Sequence, residues 1–138
     1  MIHESRTKGF FARESLANLI FWLHFVVGAI WYGLFLVPIS WWSGKISFHF
    51  FLTLFIVGHQ FLWGAILIPW TKRYRTVCVL TTILQLLRGK DITDPENYNH
   101  SFTIEMARKT HITIPHFVAI FLNFLVFTLV TIQYFLHK

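Results

Sequence analysis

Three apolar stretches constrain what this chain can fold into more than any other feature. Residues 15–37, 46–68 and 112–136 contain no Asp, Glu, Lys or Arg. Each is longer than the ~20 helical residues that cross a hydrocarbon core of ~30 Å. The expected fold is therefore an all-α membrane protein with three transmembrane helices, forming a single integral membrane domain over residues 1–138. Pro38 closes the first span, and Trp41 and Trp42 mark an interface; Pro69 and Trp70 do the same at the exit of the second. The composition agrees, with 55% hydrophobic residues against 13% charged. A soluble domain carries about a quarter charged residues.

The formal charge of +6 does not read as a nucleic-acid surface, because the basic residues border apolar segments rather than covering a folded face. They read as topology. Arg6, Lys8 and Arg13 precede the first span, and only Lys45 lies between the first and second. Lys72, Arg73, Arg75, Arg88, Lys90, Arg108 and Lys109 lie between the second and third. The positive-inside rule then places the N-terminus and the long loop in the cytoplasm and the C-terminus outside, with a bacterial inner membrane as the expected location. With Cys78 the only cysteine, no disulfide can form within the chain.

Within the long loop, residues 76–87 are apolar but too short to span. They are expected to form a short interfacial helix, with Thr81, Thr82 and Gln85 as its polar side. Gly89 stops it, and Asp94-Pro95-Glu96-Asn97 forms a turn. Ser101 caps a short helix carrying Glu105, Arg108 and Lys109. Asn99-His100-Ser101 is a glycosylation sequon, on the cytoplasmic side in this topology.

Polar groups at membrane depth are costly and become functional candidates by default. Here they are His24, His59 with Gln60, His116 and Asn123. At ~1.5 Å per residue, His24 and His59 each lie ~13 Å from the long-loop side, Asn123 ~16 Å and His116 ~6 Å. Two histidines at one level on antiparallel helices suit a bis-histidine b-type haem, since neutral imidazole is a good iron ligand. Gly28 and Gly58 allow close approach, and Trp31 and Trp63 can pack on a macrocycle edge. A plain alternative is that these groups hydrogen-bond between helices, Asn123 above all. His49, nearer the other interface, is a ligand candidate at a different depth.

Two stretches resemble known families. Leu23-His24-Phe25-Val26-Val27-Gly28-Ala29-Ile30-Trp31-Tyr32-Gly33-Leu34-Phe35-Leu36-Val37-Pro38 resembles the first helix of the membrane protoporphyrinogen oxidases and their copper-resistance-D relatives. Phe55-Ile56-Val57-Gly58-His59 resembles a later helix of that group. The resemblance implies that His24 is a haem ligand; the intervening helix and most of the group's polar residues are absent. The order His24, His59, Cys78-Val79-Leu80-Thr81 and Tyr98-Asn99-His100-Ser101-Phe102 is similar to a family of small bacterial membrane proteins, domain of unknown function 2784. Val79 stands where that family has proline.

The expected function is a small membrane protein that binds haem b or serves in a membrane redox complex. Its metal ligands would be His24 and His59, with Gly28, Trp31, Trp63 and Asn123 around the cofactor. The alternatives are a cofactor-free accessory subunit of a larger complex and a porphyrin-oxidase-like enzyme. The expected partners are the lipid bilayer and larger membrane subunits, without nucleic acid. No carboxylate or lysine lies within a span, which argues against an ion-coupled transporter.

Overall fold

In a computed structural model, the apolar stretches become the three long helices among the six that the described residues form: α1 (Ile2–Gly33), α2 (Lys45–Ile66), α3 (Ile68–Thr71), α4 (Val79–Leu87), α5 (Phe102–Lys109) and α6 (His116–Leu136). The structure describes residues 2–94, 97, 102–109 and 111–137, with side chains from Arg13 onward apart from Arg108 and His116. The sequon at 99–101 and the Ser101 cap lie outside the described residues, as does the side chain of His116. Among the described residues three segments are long and apolar enough to cross a membrane: Arg13–Gly33, Lys45–Ile66 and Phe117–Leu136.

Element ends follow local chemistry. The first long helix stops at Gly33 rather than at Val37. Its last turn tightens, with Phe35 and Leu36 donating to the carbonyls of Tyr32 and Gly33, and Val37 is barred from the α region by Pro38. Likewise α6 begins at His116 rather than Ile112, because Pro115 holds an extended backbone (φ −60°, ψ 147°) as its N-cap. Gly89 terminates α4 in the left-handed region (φ 74°). Lys90 N–H reaches back to the Gln85 carbonyl and Gly89 N–H to Leu86, the Schellman closure of a helix end.

Two packing centres divide the molecule. At the hairpin end, where residues 34–44 join α1 to α2, Trp31, Ile56, Val126 and Val130 form a core contributed by the three spans themselves. Phe50 stacks on Tyr134 at 4.0 Å between ring centroids and joins α2 to α6. At the long-loop end, α1 diverges from α6 and packs mainly on α4. There Ala17 and Phe21 meet Leu84, with Leu87 and Phe102 against them.

The path between α2 and α4 explains this arrangement. After α3, the chain returns along α2: a side chain at Gly64 would collide with the Arg75 carbonyl, and Cys78 arrives beside His59. Helix α4 then descends along α1. Its threonines point inward, with Thr81 and Thr82 buried while Ile83 and Leu86 are exposed. The expected polar side of this helix therefore faces the bundle. Trp63 supplies the reason, since its indole N–H donates to Thr82 Oγ1 at 2.9 Å.

Candidate functional site

The residues that could carry chemistry fall into two groups, one in each half. At the long-loop end His24 of α1 and His59 of α2 lie within electrostatic reach of each other, with Glu105 of α5 also near His24. Their partners differ. One face of the His24 ring stacks on Phe102 at 3.6 Å and 11°, and its Nδ1 is buried without a hydrogen-bond partner. His59 is held at both nitrogens. Nδ1 lies 3.1 Å from the Phe55 carbonyl one turn back, and Nε2 lies 3.2 Å from Cys78 Sγ. The carbonyl can only accept, so Nδ1 carries the proton and Nε2 accepts from the thiol. Burial pushes the Cys78 thiol up, so it stays protonated and able to donate.

The cover over this group comes from the loop. Phe102 contacts both His24 and Phe21, and Lys109 Nζ sits 3.9 Å over the Phe21 ring. Arg88 at the end of α4 pairs with Glu105 at 2.6 Å. Together these contacts fasten α4 and α5 to one another and to α1.

Other expected site residues are placed elsewhere or engaged otherwise. Trp31 lies in the hairpin-end core, its indole donating to Thr53 Oγ1 at 2.8 Å. Trp63, one turn beyond His59, is committed to Thr82. Asn123 accepts the Tyr32 hydroxyl at 2.6 Å and joins α6 to α1. Around Gly28 and Gly58 an added side-chain carbon would meet nothing within 4 Å. The closely approached glycine is Gly64, one turn and a half past Gly58.

The second group lies at the hairpin end and was not singled out as a unit from sequence. Lys45, His49 and Thr53 recur every four residues on one face of α2 and are all buried, His49 completely. Lys45 Nζ donates to the Val37 carbonyl at 2.6 Å, and Thr53 Oγ1 to the His49 carbonyl at 2.7 Å. The His49 ring packs edge-on to Phe35 at 4.8 Å. The Trp31 carbonyl lies near it, at a geometry short of a hydrogen bond. The Lys45 ammonium thus sits just past the C-terminal end of α1, where the helix dipole favours a cation. The four-residue spacing was a readable signal. By contrast, nothing in the sequence reports the Cys78–His59 contact, because the end of α2, α3 and a returning irregular segment lie between the two residues.

Among the described residues no group of three or more His, Cys, Asp or Glu could hold a metal ion. The pair that the sequence nominates for a metal is His24 and His59. His59 fits that role in one respect, since a ligating histidine ordinarily donates Nδ1–H to a carbonyl and presents Nε2. Coordination through Nε2 requires Cys78 to turn aside. No match is found to protein-family models, to curated proteins or to solved structures.

Proposed function

We propose that this chain is a small redox subunit of a membrane, holding b-type haem between His24 and His59. The observation that supports this most is the convergence of the two imidazoles from antiparallel spans, with the His59 tautomer fixed by Phe55. The orphaned Nδ1 of His24 adds to it, because a buried ring nitrogen with no partner marks a group whose full complement of contacts lies outside the chain. The likeness of the first helix to the haem-binding membrane oxidases points the same way. Bound there, haem would supply one-electron transfer. The chain's own contribution is to orient the two imidazoles and, through Phe102, to shield His24. The N-terminus and long loop are proposed to face the cytoplasm of a bacterial inner membrane. In this reading α4 lies at the boundary on that side, and larger redox subunits cover part of the exposed aromatic surface.

One observation favours a second reading. Cys78 already satisfies His59 Nε2, and Phe102 already covers His24, so both histidines have partners within the chain. They would then hold the long loop to the spans in a cofactor-free accessory subunit.

A visible spectrum separates the two. The full chain, produced with haem supplied and purified in mild detergent, should show a Soret band under the proposal. His24→Ala and His59→Ala should each abolish or shift it, and His137→Ala should leave it unchanged. Cys78→Ala should preserve the band, because it frees the ligand nitrogen. A spectrum without Soret absorbance would overturn the haem proposal and leave the accessory reading as the better one.

A further inference from the structure

We propose that the cavity between the start of the α1 span and the end of α4 holds a phospholipid headgroup of the phosphoethanolamine class. Its phosphate would lie on Arg13 and Arg88 and its primary ammonium on Glu14. The inference is independent of haem binding. The cavity has a volume of about 410 Å³; Ala17 and Leu87 line its apolar side, and Arg13, Glu14, Asn18 and Arg88 its polar side.

Position supplies the first argument. Arg13 opens the apolar segment that ends at Gly33. Any bilayer crossed by that segment brings its phosphate layer to the level of Arg13. Exposed Leu16 and Leu86 flank the cavity on α1 and α4 and offer apolar surface to acyl chains. A free phosphate ester would make no use of them.

Chemistry supplies the second. A guanidinium presents five N–H donors in a fork that matches phosphate oxygens. Arg88 engages Glu105 and retains donors beyond that pair. The charges of Arg13 and Arg88 are balanced by Glu14 in the cavity wall and by Glu105, the partner of Arg88, so these four side chains are neutral together. A bare phosphodiester would leave them with an excess negative charge. A headgroup that also carries a primary ammonium restores balance and gives Glu14 a hydrogen-bonding cation. A choline headgroup has the charge but no N–H to donate. Asn18, on the same face one turn from Glu14, can accept from the ammonium or donate to the phosphate.

The test is native mass spectrometry of the full-length protein in mild detergent. The protein is equilibrated with equal amounts of phosphatidylethanolamine, phosphatidylglycerol and phosphatidylcholine, and separately with inorganic phosphate. Phosphatidylethanolamine should be retained about fivefold over phosphatidylcholine, the worth of one exposed charge-assisted contact. Arg13→Gln should lower retention of phosphatidylethanolamine about fivefold. Glu14→Gln should erase the preference over phosphatidylglycerol while phosphatidylglycerol itself still binds. Lys72→Gln, on the far side of α3, should change nothing. Equal retention of the choline lipid, or indifference to Arg13→Gln and Glu14→Gln, would overturn the proposal. So would inorganic phosphate displacing the lipid as well as a second lipid does, since the site would then read phosphate alone. Arg88 is left unaltered because its loss would also release Glu105.

Discussion

The hairpin end and the long-loop end of this protein solve the same problem by different means. At the hairpin end the spans close on themselves: Trp31, Ile56, Val126 and Val130 come from α1, α2 and α6. Polar groups there tie helix to helix or helix to turn, as with Trp31 on Thr53 and Lys45 on Val37, although both ring nitrogens of the buried His49 lack a hydrogen-bond partner. At the long-loop end the spans separate, and the gap is filled by α4 and by Phe102 of α5. That filling is held by side-chain contacts made by the returning loop, including Cys78 with His59 and Arg88 with Glu105. Lipid offers little hydrophobic drive for helices to associate, so van der Waals fit and hydrogen bonds decide both regions. The difference is that one half is built from continuous helices, whose backbone bonds are complete. The other half depends on returning chain that must be pinned. Opening of the fold, and ligand entry, should therefore begin at the long-loop end.

The sharpest way to break this contrast is Gly64→Leu. The new side chain would strike the Arg75 carbonyl, a backbone atom that cannot turn aside. The expected cost is about 1–3 kcal/mol, the range for overpacking. It should appear as a lowered melting temperature in detergent and as faster alkylation of Cys78. Unchanged alkylation would mean that the returning chain does not depend on close approach to α2.

Thr53→Val tests the other half. It leaves the buried Trp31 indole without its acceptor, at an expected cost of about 1 kcal/mol. Thermal unfolding should register the loss, while Cys78 alkylation stays at its native rate. A faster alkylation would show that the two halves open together.

Trp63→Phe removes the bond to Thr82, for which about 0.6 kcal/mol is typical between membrane helices, and trims the ring while keeping an aromatic side chain in place. Hydrogen exchange along α4 should rise while that of α6 does not. In the native protein burial holds the Cys78 thiol up. Its alkylation should be slow at neutral pH and accelerate as pH climbs past the ordinary thiol range near 8.5. Trp63→Phe should raise the rate at every pH without moving that profile.

Gly28→Ala should have the smallest effect, within about 0.5 kcal/mol, because its surroundings are open. A cost as large as that of Gly64→Leu would place a partner helix or a bound group against this face of α1. It would thereby favour a filled site near His24.

The three spans were legible in the sequence because a bilayer imposes a length and a polarity that any crossing segment must meet, whatever it packs against. The ends of α1 and α6 were legible to within a few residues. The misses at Val37 and Ile112 came from prolines whose effect reaches the preceding residue. The loop helix at 79–87 was also legible, from apolar content and the Gly89 stop, and the one at 102–109 was expected from Ser101 as a cap ahead of Glu105, Arg108 and Lys109. Facing was a different matter. Thr81 and Thr82 read as a solvent-exposed stripe, yet they point inward, because polarity does not tell a hydroxyl that meets water from one that meets an indole. The matched depth of His24 and His59 followed from helical rise alone. What each imidazole touches did not follow, because Phe102 and Cys78 reach them only after the chain has turned back at the end of α2. Sequence by itself determined the local, one-dimensional properties of this protein: which segments are long and apolar enough to cross a membrane and, to within a few residues, where their helices stop. The tertiary structure decided which polar groups meet, because those meetings depend on the path of an irregular loop, and no periodicity encodes that path.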